Sequence, residues 1–169
     1  AQIVKANAPL VKVIDAVHKR IYRRADRILV LGREMANLIH DKTGNGASRS
    51  HLITHWADSD EIAPRQKDDN TLLKQLGLID KFVVQYSGNM GRTHDLESLV
   101  RCAKILEQRG DIHFLFVGSG AKEPWLRKNV GQQGLNNVTI LPPQARADLA
   151  ELLNACDLAV ISFVGGMAG

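Results

Sequence analysis

Hydroxyl, amide and cationic side chains gather directly after an apolar run near the middle of the chain. Residues 82–86 read as a buried strand, and a Gly-rich turn follows it. We predict that the turn leads into a helix whose first turn carries Arg92, Thr93 and His94. Helix N-termini and cationic side chains both favour phosphate groups. The turn therefore predicts a phosphate site, formed by Ser87, Gly88, Asn89, Arg92 and His94.

Two further turns follow later strands of the same kind. The run at 114–117 ends in Gly118, Ser119 and Gly120, and the run at 138–141 ends in two prolines before Gln144. A Gly-x-Gly after a strand is often only a tight turn, and a proline pair usually only ends a strand. As neighbours of the first turn, however, these residues would lie at the same edge of a parallel sheet, where open α/β proteins bind ligands. We predict a nucleotide-type ligand along this edge, with its base near Gln144.

Several other chemistries are disfavoured. The spacing of Gly88 and Gly91 is not that of a dinucleotide fingerprint, and the chain has no phosphate loop of the GxxxxGK[ST] type and no serine-hydrolase elbow. None of the six histidines shows helical zinc spacing with a third ligand, so we expect no metal. Because the dinucleotide fingerprint is absent too, we expect no cofactor. No residue can be assigned a catalytic role.

Composition narrows the choice of partner and compartment. The net charge of +4 is spread along the chain, and aromatic residues make up 5% of it, which disfavours nucleic acid. A positive surface suits an anionic ligand, with peripheral contact to an anionic membrane as a minority alternative. Cys102 and Cys156 lie in apolar patterns and read as buried core residues of a reducing, cytoplasmic compartment. No stretch reaches transmembrane length and no signal peptide is visible.

The order of apolar patterns predicts an α/β fold. Helices are expected at 10–24, 33–42, 71–76, 95–109, 123–133 and 146–155, and strands at 28–31, 52–54, 82–86, 113–117, 138–141 and 158–163. Strands without clean alternation, separated by amphipathic helices, indicate a parallel sheet with helices on both faces. Residues 57–70 are polar, contain Pro64 and read as a linker between two units.

The order of these features resembles the retaining family 4, or group 1, glycosyltransferases, which have the GT-B fold of two Rossmann-like domains. Residues 25–31 resemble a strand near the end of the acceptor domain, and residues 52–58 resemble the interdomain hinge written IPNGVD. Residues 86–91, 116–120 and 155–162 resemble the YVGR, IVGDG and ADV-x-V-x-PS motifs of the donor domain. The run from 86 to 95 is most similar to a subgroup that builds bacterial surface polysaccharides.

The resemblance implies a division of the chain and a set of ligands. Residues 1–56 would be the tail of the acceptor domain, 57–70 the hinge, and 71–169 the first part of the donor domain. The donor would be a nucleoside diphosphate sugar, bound without a metal, and the acceptor a glycan or a lipid-linked sugar. The family's paired-glutamate element and the upstream acceptor half are missing, so we expect a fragment.

One departure from the family pattern affects the diphosphate site. The family's Arg after the turn glycine is Asn89 in this chain, and its Lys falls at His94. The charge would therefore have to come from Arg92 and His94. Three alternatives stay open beside a glycosyltransferase: a nucleotide-sugar epimerase of the same fold, a non-catalytic nucleotide-binding module and, last, an oxidoreductase.

Overall fold

The computed structural model describes residues 9–44, 49–55 and 61–165. The chain divides into two compact units, Ala1–Ala57 and Asp58–Gly169. None of the helices in the described residues is both long enough and apolar enough to cross a membrane.

The first unit is a small βα arrangement. Its elements are α1 (Pro9–Arg24), β1 (Ile28–Val30), α2 (Arg33–Thr43) and β2 (Ser50–Leu52). The two strands are parallel, with Ile28 opposite Ser50. Strand β2 was predicted at 52–54 and lies two residues earlier. Its first residue follows Arg49, whose carbonyl accepts the N–H of Ile28 at 2.9 Å and so begins the ladder there.

The second unit contains a four-stranded parallel sheet in the order β5-β4-β3-β6. The elements are α3 (Thr71–Leu76), β3 (Phe82–Ser87), α4 (Leu96–Ile105), β4 (Ile112–Val117), α5 (Glu123–Gln133), β5 (Val138–Leu141), α6 (Leu149–Leu153) and β6 (Leu158–Ala159). Short 3-10 turns at Lys67–Asp69 and Arg146–Asp148 precede α3 and α6. The predicted helix at 146–155 is therefore a 3-10 turn followed by five residues of α-helix.

Two apolar clusters cover the two faces of this sheet. Tyr86, Phe114 and Phe116 pack with residues of α4 and α5. Val83, Leu115 and Val117 pack with residues of α3 and α6. Neighbouring strand residues point to opposite faces, so the central strands β3 and β4 are mostly apolar, with Gln85 and His113 as buried polar exceptions. The predicted α/β fold with helices on both faces is confirmed.

The start of α4 corrects one prediction. Arg92, Thr93 and His94 were placed in the first turn of this helix, but the helix begins at Leu96, with Asp95 as its N-cap. The Asp95 carboxylate accepts hydrogen bonds from Ser98 N at 3.0 Å and Ser98 Oγ at 2.6 Å. Because an N-cap residue is itself non-helical, the three residues before Asp95 lie outside the helix, in the turn.

The last strand is shorter than predicted because the chain leaves the sheet. Strand β6 pairs with β3 only at Leu158 and Ala159. The following residues run antiparallel to the turn before α4: Asp95 N donates to Ser162 O at 3.1 Å, and Val164 N donates to Thr93 O at 2.9 Å. The prediction for Cys102 was wrong as well, since it lies on the exposed side of α4.

Candidate functional site

The turns after β3 and β4 pack directly on each other. Gly88 N donates to Val117 O at 2.9 Å, which extends the strand ladder by one bond. Met90 N donates to Ser119 O at 2.8 Å, and Lys122 N donates to Met90 O at 2.9 Å. The two turns therefore form one hydrogen-bonded unit at the carboxyl edge of the sheet.

Two glycines of the second turn permit this close approach. A Cβ on Gly118 would lie 2.0 Å from the carbonyl oxygen of Gly88, and a Cβ on Gly120 would lie 2.7 Å from the backbone of Met90. Both glycines also have positive φ, 138° and 151°, where L side chains are rarely found. The Gly-Ser-Gly spacing thus follows from contact with the first turn.

A cleft of about 380 Å³ lies beside the two turns. Its walls include Val117, Pro143, Leu149 and Leu152, together with six of the predicted site residues: Ser87, Gly88, Asn89, Gly118, Ser119 and Gln144. Gln144 is held by a 2.7 Å hydrogen bond from its Nε2 to Pro142 O. The structure therefore brings together residues from three separate strand ends. Gly120, Arg92 and His94 are not among the described residues that line this cleft.

The polar character of the cleft comes from neutral groups. Within the described part of the chain, its walls carry no charged side chain. The backbone N–H groups of Asn89 and Ser119, one from each turn, have no hydrogen-bond acceptor among the described residues. Backbone N–H groups in turns can form anion sites. These two N–H groups, from adjoining turns that both line the cleft, are therefore candidate donors to an anion.

The two predicted cations occupy different surroundings. Arg92 is exposed. His94 is half-buried, and its ring lies 4.9 Å from the ring of Phe163, measured between centroids. Its Nδ1 lies 2.7 Å from the hydroxyl of Tyr86. One ring nitrogen of His94 is thus already engaged by the protein.

Two residues that shape the turn, Tyr86 and Lys122, were not among the predicted site residues. The Tyr86 hydroxyl, near the end of β3, donates a hydrogen bond to Asn89 O in the turn at 2.7 Å. Lys122 Nζ donates to His94 O at 2.6 Å and pairs with Glu97 at 2.8 Å, while only 16% of its side chain is exposed. The apolar strand pattern did not distinguish Tyr86 from its neighbours. Lys122, at a helix start, had no motif to mark it.

A second, smaller cleft of about 220 Å³ shares Gln144 and Leu152 with the first. Its other walls come from α3, from Asp148 before α6 and from Glu151 within α6. Glu151 accepts the N–H of Thr71, and also its hydroxyl at 2.8 Å. These hydrogen bonds from Thr71 lower the pKa of Glu151 below its ordinary value. The start of α3 is therefore already occupied by a carboxylate of the chain itself.

Among the described residues, no group of three His, Cys, Asp or Glu side chains is placed to hold a metal ion. The arrangement at the cleft is that of hydrogen-bond donors and apolar walls.

Comparison with known proteins identifies the family. Residues 68–163, more than half of the chain, match the family model described as "Glycosyl transferases group 1". The probable glycosyltransferase WbjE of Pseudomonas aeruginosa is 27% identical over all of this chain and 42% of its own length. The putative colanic acid biosynthesis glycosyl transferase WcaI of Escherichia coli K12 is 33% identical over 78% of this chain and 32% of its own length.

A solved structure shows the same fold. Anabaena Alr3699/HepE, in complex with UDP and glucose, is 21% identical and covers 90% of this chain with a TM-score of 0.72. The match takes in 42% of the Anabaena chain, so this chain spans less than half the length of the relatives it matches. The fold is that of a GT-B glycosyltransferase, of which the second unit is a partial Rossmann-like domain. The chain belongs to the group 1 glycosyl transferases.

Proposed function

We propose that the protein transfers a sugar from a nucleoside diphosphate sugar to a glycan or lipid-linked acceptor, with retention of anomeric configuration. The cleft beside the two Gly-rich turns carries this proposal, because it lies inside the segment matched by the family model. The proposed donor ligands are Ser87, Gly88, Asn89, Gly118 and Ser119. Gln144 would lie near the base.

Geometry supports a diphosphate at this cleft. In this proposal the N–H groups of Asn89 and Ser119, which have no acceptor among the described residues, donate to the phosphate and stabilise its charge when the leaving group departs. Arg92 and His94 follow on the same turn and are the proposed cations. No metal is part of this proposal. Gly120 contributes by letting the two turns approach each other.

We propose UDP as the nucleotide of the donor, because the Anabaena complex contains UDP and glucose. A hexose as the transferred sugar is proposed on the same ground. The two curated relatives are named for glycosyl transfer, one of them in colanic acid biosynthesis. A role in cell-surface polysaccharide synthesis is therefore part of the proposal.

The assignment of domains along the chain is also a proposal. Residues 1–56 would end the acceptor domain and residues 57–70 would form the hinge, consistent with the boundary between the two compact units. We place the reaction in the cytoplasm, with peripheral membrane contact through α1. That helix ends in Arg23 and Arg24 and exposes apolar residues such as Leu10 and Ile21.

The proposal is tested by assaying the complete gene product with a panel of UDP-sugars and lipid-linked or glycan acceptors. Sugar transfer with an unchanged anomeric configuration, read by NMR of the product, is expected. Conversion of the donor without an acceptor would instead identify an epimerase. UDP binding without either reaction would identify a non-catalytic module.

A matched pair of variants tests the cleft itself. Ser119 lies on its wall, whereas Ala121 is exposed two residues further on and does not line it. Ser119→Trp should fill the cleft and weaken UDP binding by about tenfold or more, a loss of about 1.4 kcal/mol. Ala121→Trp should leave the affinity unchanged. Equal affinities for the two variants would place the nucleotide elsewhere.

A further inference from the structure

The hydroxyl of Tyr86 lies between two polar groups of the turn that follows its strand. It is 2.7 Å from Asn89 O and 2.7 Å from Nδ1 of His94. The ring of Tyr86 itself is buried in the sheet's apolar cluster. A buried polar group needs its hydrogen bonds satisfied, so the placement of one proton decides how these three groups interact.

The number of protons that the three groups carry fixes the direction of both hydrogen bonds. A carbonyl oxygen only accepts, and a phenol has a single proton to give. If that proton went to His94 Nδ1, the oxygens of Tyr86 and Asn89 would face each other at 2.7 Å with no proton between them. If it goes to Asn89 O, the pair is satisfied, and Nδ1 of His94 must carry a proton that it donates to Tyr86.

We infer that Tyr86 is a positioning residue of the nucleotide-binding turn and that it holds the uncharged ring of His94 in the Nδ1–H form. Within the described residues, Nε2 of His94 has no hydrogen bond. The ring can therefore accept a hydrogen bond or a proton at Nε2 without losing its bond to Tyr86. The atom that His94 offers to a ligand is Nε2.

The surroundings of the hydroxyl agree with this assignment. Burial raises the pKa of Tyr86 above its ordinary value, so the hydroxyl keeps the proton that it donates. Lys122 holds the carbonyl of His94 at 2.6 Å, and Phe163 packs on the ring. The His94 backbone and ring are thus fixed from three sides, and Tyr86 is the contact that selects the tautomer.

The consequence for the ligand rests on the proposed function. An uncharged His94 would accept a hydrogen bond from a donor hydroxyl through Nε2, and a charged one would donate to a phosphate oxygen. In both states Asn89 O stays bonded to Tyr86, so the turn that carries the free Asn89 N–H keeps its shape. Tyr86 would act on the ligand only through these two residues.

The chain offers a matched control, because Tyr22 and Tyr86 are its two tyrosines. Tyr22 lies in α1 of the first unit. The experiment is nitrogen-15 NMR of the imidazole groups in the full chain, with the His94 signal assigned by its loss in His94→Asn. The Nδ1–H form is expected in the wild type and in Tyr22→Phe, and its loss is expected in Tyr86→Phe.

Two results would overturn the inference. An Nε2–H form in the wild type would contradict the proton assignment, and this holds even if Tyr86→Phe fails to fold. An Nδ1–H form that persists in Tyr86→Phe would remove Tyr86 as its cause. Neither NMR result depends on a bound nucleotide, so both test the inference separately from the proposed function.

The positioning role has its own measurement, which is the affinity for UDP by calorimetry. Loss of one hydrogen bond predicts roughly 2- to 12-fold weaker binding by Tyr86→Phe, with Tyr22→Phe unchanged. Equal affinities for both variants would contradict the positioning role. A wild type that does not bind UDP would contradict the proposed function, while the NMR result would still decide the tautomer.

Discussion

The Cα of Gly118 faces the carbonyl oxygen of Gly88 so closely that a methyl group added to it would lie 2.0 Å from that oxygen. This contact joins the turns after β3 and β4 into one structure. The proposed phosphate site depends on it, because each turn contributes an N–H group that has no acceptor among the described residues, on Asn89 and on Ser119.

Gly118→Ala should be strongly destabilising for that reason. The added Cβ overlaps Gly88 O, and the φ of 138° is unfavourable for alanine. We expect a loss of about 2–4 kcal/mol, or about 10 °C in the midpoint of thermal unfolding. Gly131→Ala is the control, since Gly131 lies in α5 with nothing within 4 Å of its Cβ position. A Gly118→Ala variant as stable as the control would show that the turns do not pack in this way.

Lys122→Met should loosen the turn before α4. The ammonium group is the side-chain donor to His94 O and also pairs with Glu97, and it is largely shielded from solvent. We expect a loss of about 1–2 kcal/mol and faster amide hydrogen exchange at residues 91–95. Lys128→Met is the control, because Lys128 is exposed on α5. Identical exchange in the two variants would contradict an anchoring role for Lys122.

Asp95→Ala should remove the cap of α4 in a pH-dependent way. Hydrogen bonds from Ser98 lower the pKa of Asp95 below its ordinary value of 3.8. The cap therefore stabilises the folded state fully above that value, and its contribution falls as the pH drops through the lowered folded pKa. The stability difference between wild type and variant should be about 1 kcal/mol at pH 7 and should shrink towards pH 3.

Asp80→Ala controls for the loss of a carboxylate, since Asp80 is exposed. Chemical denaturation of all three proteins across this pH range is the measurement. A difference for Asp95→Ala that stays constant down to pH 3 would show that the ionised carboxylate is not the capping group.

Arg92→Ala, alone and combined with His94→Ala, should weaken UDP binding by the complete gene product. Both residues follow the proposed phosphate turn, but neither lines the cleft, so a moderate effect of about 3- to 10-fold is expected. The loss of UDP affinity should be smaller at high salt, because Arg92 is exposed and its charge is screened by ions. Lys128→Ala controls for net charge. Calorimetric affinities equal to that of the wild type would remove both residues from the site.

Local patterns predicted the sheet well because its strands are buried on both faces. The apolar runs before Gly88 and Gly118 marked β3 and β4 closely, and Gly77 and Gly134 ended α3 and α5 where expected. Strand β6 was harder to predict. Its apolar residues continue to Phe163, but pairing with Thr93 and Asp95 draws them out of the sheet, and that contact has no local sequence pattern.

Part of the candidate site was also predictable, because its residues lie at the ends of predicted parallel strands. Residues at strand ends, such as Ser87, Ser119 and Gln144, meet because parallel strands share an edge. The predicted helix at 95–109 begins within one residue of α4, but Arg92, Thr93 and His94 were assigned to its first turn because the capping role of Asp95 was not identified. Tyr86 and Lys122 act through contacts made across the turn, and no spacing along the chain indicates such contacts.

The central claim is that the two turns bind the donor phosphates through the N–H groups of Asn89 and Ser119. A nitrogen-15 NMR titration of the chain with UDP tests it most directly. The account predicts the largest chemical-shift changes at these two amide signals and smaller changes at Ser87 and Gln144. In the Ser119→Trp variant, UDP should no longer cause these shift changes. Saturation with UDP that leaves the Asn89 and Ser119 signals in place would contradict it.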